Sequence, residues 1–168
     1  MSLSIYAHCP SQFIRGLQIL SALLKKGEQF LQEKQQAESV LLEARLAPDM
    51  FALLRQVQIA SDAAKGAVAR LAGQEVPSMP DNEASFADLY QRIEKTIAYV
   101  QGFQAADFAD ADGRNIEIKS KTRDFHFTAQ DFLLTFAIPN FYFHLTTAYN
   151  ILRNQGVAVG KWDYLGAK

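Results

Sequence analysis

Four stretches of this sequence repeat apolar residues at three- and four-residue steps, the spacing of one buried face on an α-helix. Helices of that kind are unstable alone, so the chain must pack them along their lengths. In the first, Phe13, Leu17, Leu20 and Leu24 mark a helix from near Ser11 through the thirties, with Ser11 as its cap and Gly27 as a weak point. A long connection with some helix of its own follows Gln36. The second helix is expected to start at Pro48-Asp49, to bury Met50, Leu54, Val57, Ala64, Val68 and Leu71, and to stop at Gly73. Nearly opposite lie Phe51, Ala52, Ile59, Ala63 and Gly66, a second face that either the first helix or a homodimer contact would cover.

Ser85, with Asp88 three residues on, caps a third helix carrying Phe86, Leu89, Ile93, Ile97 and Val100. The polar "QAADFADADGRN" then interrupts the periodicity. "IEIKSKTRDFHFT" alternates in two pieces, which predicts a hairpin pairing Ile116–Lys119 with Asp124–Phe127. Thr128 and Asp131 cap a last helix from Ala129 to Asn154, with a kink expected at Pro139 and a left-handed stop at Gly156. Trp162, Tyr164 and Leu165 in the tail are expected to fold back. The chain therefore reads as all-α: one four-helix bundle domain over residues 1–168, with a long first crossover and a small β-hairpin before the last helix.

Composition narrows the function. A formal net charge of −1, with no basic block longer than "LKK" or "IKSK", argues against a nucleic-acid partner and gives no support to a membrane surface. Cys9 is the one cysteine, which excludes an intrachain disulfide and a cysteine-rich zinc site. The first residues lack the basic start and apolar run of a secretion signal, so the cytoplasm is the expected compartment.

His144, inside "IPNFYFHLTTAYNILRNQG", carries the most chemistry. Steps of about 100° put Phe141, Leu145, Ala148 and Leu152 at the centre of the inward stripe and His144 roughly 60° off it, one turn above Asn140. Two side chains so spaced can share a ligand, yet an amide is a poor zinc or nickel donor. The second helix presents Gln56 and Gln58 on the flanks of Val57, Ser61 and Ala64, with no histidine or inward carboxylate. The residues favour a hydrogen-bonded pocket or structural histidine over a tight metal ligand. Phe141, Tyr142, His144 and Tyr149 are the expected pocket cluster, and Phe143 on the outer side marks a contact surface. His8 beside Cys9 is a weak case for a thiolate pair, since adjacent residues seldom face each other. His126 alternates with Phe125 and Phe127 and should face solvent. Asp107, Asp110 and Asp112 resemble the start of a calcium loop but lack its closing glutamate.

"ARLAPDMFALLRQVQIASDAAKGAVARLAG" and "PNFYFHLTTAYNILRNQGVAVGKWDYLG", with "PDNEASFADL" leading into the third helix, resemble an uncharacterised bacterial family of unknown function within the DinB/YfiT-like metalloenzyme superfamily. The likeness spans essentially the whole chain. It implies an up-down-down-up order of helices, frequent homodimers and, in the wider superfamily, a divalent metal held by one histidine on helix two and an HxxxH pair on helix four. Some members with that triad are thiol-dependent transferases or isomerases. Carried over residue by residue, His144 matches the second helix-four position, Asn140 stands at the first, and helix two offers glutamine at best. The expectation is an uncharacterised DinB-like protein with a degenerate metal site, a small-molecule binding or interaction protein with Asn140, His144, Gln58, Tyr142 and Tyr149 as pocket candidates and no assigned cofactor. The alternative is a transferase or hydrolase dependent on a divalent metal (zinc or nickel) or a thiol, using His144 as ligand or base.

Overall fold

Phe13, Leu17, Leu20 and Leu24 are fully buried along one side of α1 (Ile5–Glu33) in the computed structural model, which describes residues 5–119 and 123–166, apart from the side chains of residues 6–8. The helix begins before the expected Ser11 cap and contains Pro10. Proline removes one backbone bond there, but Cys9 and Phe13 on either side of it are fully buried, and that packing holds the turn.

After α1 the crossover contains α2 (Ser39–Leu42), whose Leu41 and Leu42 reach the core. α3 (Leu53–Leu71) starts four residues later than the Pro48-Asp49 reading. Side chains draw the preceding carbonyls out of helical register: Arg45 Nη1 donates to Met50 O at 2.5 Å and Gln56 Nε2 to Phe51 O at 2.9 Å. Met50 is accordingly half-buried rather than part of the inward stripe. Gly73, at φ +70°, ends α3 as expected, and the next amide, Gln74 N, donates back to Ala69 O at 2.8 Å.

The predicted cap opens α4 (Phe86–Gln101): Asp88 N donates to Ser85 Oγ at 3.1 Å. Glu38, from the crossover, accepts a second orphan donor, Phe86 N, at 2.8 Å. Two short 3₁₀ turns, Ala105–Phe108 and Ala111–Gly113, lead to an antiparallel pair, β1 (Asn115–Ile118) and β2 (Phe125–Thr128), with Ile116 opposite Phe127. The bend between them includes residues outside the description. His126 faces solvent, as its alternation with two phenylalanines requires. Phe127 meets Phe136 and Phe132 at ring-centroid distances of 5.4 and 6.0 Å, so the hairpin docks through aromatic rings.

Thr128 Oγ1 accepts from Asp131 N at 3.2 Å and caps α5 (Ala129–Asp131). The helix then widens into a π turn over Phe132–Ala137 before α6 (Ile138–Asn154). The disruption thus precedes Pro139, which sits near the start of α6. A proline ring clashes with the carbonyl four residues back in α geometry, and the wider turn moves that carbonyl aside. Gly156, at φ +92°, ends α6. The last helix, α7 (Lys161–Leu165), returns to α1, but Trp162 is 68% exposed, contrary to expectation. Val157 and Val159, both buried, anchor the tail in its place.

The chain is mostly helical, with one two-stranded sheet among the described residues. α3 packs on α6 and α4, while α1 packs on α4, α6 and α3. Gly27 is no weak point. A Cβ there would stand 2.9 Å from Leu152 Cδ2, so glycine permits the close approach of α6. Gly16 does the same beneath Phe141, where a Cβ would lie 2.3 Å from the ring. No helix among the described residues is long and apolar enough to cross a membrane.

Candidate functional site

His144 reaches from α6 toward α3 and is only 8% exposed. Its Nδ1 lies 2.7 Å from Gln56 Oε1, and the Gln56 amide nitrogen donates to the Phe51 carbonyl. A carbonyl can only accept, so the amide is oriented with its oxygen toward the ring and Nδ1 carries the proton. Nε2 is left as the acceptor nitrogen and makes no hydrogen bond to the described residues. Burial, and then the Arg55 guanidinium, push the imidazole pKa down. The ring is therefore neutral near pH 7, with its proton position fixed from α3.

The other expected site residues do not join it. Asn140 is half-buried one turn below, with no hydrogen bond to His144. Phe141 packs in the core edge-on to Phe13, at a centroid distance of 5.1 Å and 82°. Tyr142 turns to α1, where its hydroxyl donates to Gln12 Oε1 at 2.8 Å. Tyr149 meets Tyr164 at 5.6 Å. The expected aromatic pocket is thus dispersed around α6, because Tyr142 and Tyr149 lie about 160° and 140° from His144 on the helix circumference.

Gln58, two residues beyond Gln56, belongs to a different cluster. Its Nε2 donates to Glu83 Oε2 at 2.7 Å, and its Oε1 accepts from Arg55 Nη1 at 3.0 Å. At the centre is Arg92 of α4, whose side chain is 2% exposed. It donates to Asp62 Oδ1 at 2.9 Å, Glu83 Oε1 at 2.8 Å and the Pro80 carbonyl at 3.1 Å, and approaches Asp81 Oδ1 at 3.1 Å. Lys65 joins at Asp62 Oδ1, 2.8 Å away, and Arg55 ion-pairs with Asp81. Three cations therefore face three carboxylates, and the strap of residues 79–83 is fastened across α3 and α4. Burial alone would raise the Glu83 pKa, but hydrogen bonds from Arg92 and Gln58 bring it below its usual range. Asp62 is thus part of an ionic network. Its partner Arg92 was readable as a candidate, since it shares a helical stripe with Leu89, Ile93 and Thr96.

The donors around His144 do not fit a divalent cation. Gln56 Oε1 is engaged by Nδ1–H, and the nearby Arg55 charge opposes a second positive charge. Among the described residues, no three His, Cys, Asp or Glu side chains gather to hold a metal. Cys9 is fully buried, which pushes its thiol up to about 12, while the His8 side chain lies outside the description. Asp107 has a local role, accepting from Gln104 N at 2.7 Å.

Residues 5–165 match the family model described as a domain of unknown function, DUF1993. A crystal structure described as a DinB family member protein from Shewanella denitrificans is 47% identical, with a TM-score of 0.89 over 98% of this chain and 93% of that one. No curated protein matches the chain.

Proposed function

The chain belongs to the DUF1993 family, domains of unknown function, and on that premise we propose that it is a small-molecule-binding protein in which a degenerate metal position has become a hydrogen-bonding site. The observation that carries this reading is the relay from Phe51 through Gln56 to His144, which leaves a neutral Nε2 with its lone pair available. Such a nitrogen accepts from a ligand N–H or O–H. Phe143 stands edge-on to the imidazole at 5.2 Å, and both it and Phe51 are 56% exposed. A ligand with one donor and an apolar face suits that combination.

The same two phenylalanines support a homodimer contact, since two large exposed rings near one site favour association. We also read the fold as an up-down-down-up four-helix bundle. Gly16 meets Phe141 and Gly27 meets Leu152, which sets α1 and α6 in the same sense. Tyr90 near the start of α4 bonds Glu28 near the end of α1 at 2.8 Å, which sets those two opposed. The Gln58–Glu83 and Asp62–Arg92 pairs support the same sense for α3 and α4. A single buried thiol suits the reducing cytoplasm.

Long-range proton–nitrogen NMR on the purified protein, combined with a fragment screen, tests the binding reading. The expected result is a neutral Nδ1–H tautomer whose Nε2 signal moves on binding a hydrogen-bond donor fragment, with the response lost in His144→Phe. One zinc or nickel per chain, lost in His144→Ala, would replace this reading with the metal-dependent transferase or hydrolase.

A further inference from the structure

On the opposite side of α6, a cleft of about 460 Å³ opens between α1, α6 and α7. It is lined by Tyr142 and Tyr164, by Ile19 and by the polar groups of Ser11, Gln12 and Arg15. Among the described residues of this lining, Arg15 is the only charged one and no carboxylate contributes. Asp163 lies in the adjoining cleft, which Arg15 also lines, but its carboxylate is held there by Lys26 Nζ at 2.6 Å.

The walls are fixed in place. Tyr142 is tied to Gln12, and the Tyr164 hydroxyl pairs with Thr146 Oγ1 at 2.8 Å. Arg15 Nη2 donates to the Leu165 carbonyl at 2.5 Å, which fastens α7 over the cleft and orients the guanidinium. That bond uses one of five N–H donors, so a fork remains for an acceptor. The volume falls in the range of small-molecule sites.

We propose that this cleft binds a small planar anion of the aryl carboxylate class. The carboxylate would take the remaining donors of Arg15, and the ring would lie against Tyr142, Tyr164 and Ile19. A guanidinium with no acidic side chain among the described residues of this lining, and with Asp163 of the adjoining cleft already paired to Lys26, selects negative charge, and two phenol rings select a flat apolar body. The assignment is independent of the His144 relay, which lies on the other side of α6.

Benzoate and its neutral relative benzamide are the probes, titrated into the full chain. The readouts are amide chemical shifts and the emission of Trp162, the single tryptophan, which lies on α7. Benzoate should give saturable shifts at Tyr142 and Tyr164, and Arg15→Gln should weaken it at least tenfold. Benzamide should bind more weakly and be indifferent to that change. Ser11→Phe, which fills the rim while retaining Arg15, should abolish the response and so separates a blocked cleft from a loosened α7. Equal binding of both probes, no saturable shift at millimolar benzoate, unchanged affinity in Arg15→Gln, or shifts centred on His144 would each overturn the assignment.

Discussion

Gln56 and Gln58 stand two residues apart on α3, both almost fully buried, and they serve opposite kinds of chemistry. About 160° of helix circumference separates their directions. Gln56 faces α6 and fixes the proton of an uncharged ring. Gln58 faces the strap and lies between a carboxylate and a guanidinium. One amide thus supports a neutral site, the other a charge-balanced clamp, and the neighbouring helix decides which. Of the two, the neutral relay leaves an acceptor, Nε2, without a partner among the described residues, while the clamp leaves only the buried Arg92 Nε unmatched. The clamp satisfies its carboxylates internally, which makes it architecture.

If that distinction holds, the clamp should dominate stability. Arg92→Leu leaves Glu83, whose side chain is 8% exposed, without its cation, and also releases Asp62. Breaking one partner out of a buried ionic network costs about 3–5 kcal/mol. Denaturant unfolding should register a loss of that order; a loss below about 1 kcal/mol would place the network with ordinary surface pairs.

Gln56→Leu is the matching change on the neutral side and should cost less, about 1–3 kcal/mol, the penalty for stranding a buried donor. Its signature is spectroscopic. With no acceptor at Nδ1, the His144 tautomers should mix, whereas Gln58→Leu should leave them unchanged. Equal effects of the two substitutions on the imidazole signals would break the comparison.

The two clusters should also respond to acid in separate windows, with smaller effects. The folded His144 pKa lies below the usual value of about 6.5, so the unfolded chain takes up that proton first. Its contribution to stability therefore falls as pH drops from about 6.5 toward the folded value, and His144→Phe should remove that part of the slope. Glu83, also depressed, contributes stability that is present above about 4.5 and is lost only as pH falls through its folded value. Thermal melts from pH 8 to pH 3 on the parent, His144→Phe and Glu83→Gln should resolve the two windows. A single window common to both variants would count against separate clusters.

The local elements were legible because their signals are local. Ser85 with Asp88, Thr128 with Asp131, and the hairpin register each depend on residues a few positions apart. The relay was not legible, because His144 and Gln56 are 88 residues apart and their meeting depends on how α3 crosses α6. Periodicity placed Gln56 and Gln58 on the flanks of α3 but could not tell which one α6 would meet. Arg92 shows a different limit. Its place in an apolar stripe announced a buried charge, but the compensating carboxylates lie on another helix and on the strap.

The smallest effect on stability should come from Phe143→Ser, and it sharpens the distinction most directly. The ring is 56% exposed, so its loss should alter folding by no more than about 0.5 kcal/mol. It should leave the ionic clamp untouched, since that lies on the α4 side of α3. If the neutral side of the molecule is the one that meets partners, the same substitution should shift the oligomeric state toward monomer in light scattering and weaken fragments that perturb Nε2. Unchanged mass and unchanged fragment affinity would separate Phe143 from both roles, leaving the relay as an internal hydrogen-bonded support for α3 and α6.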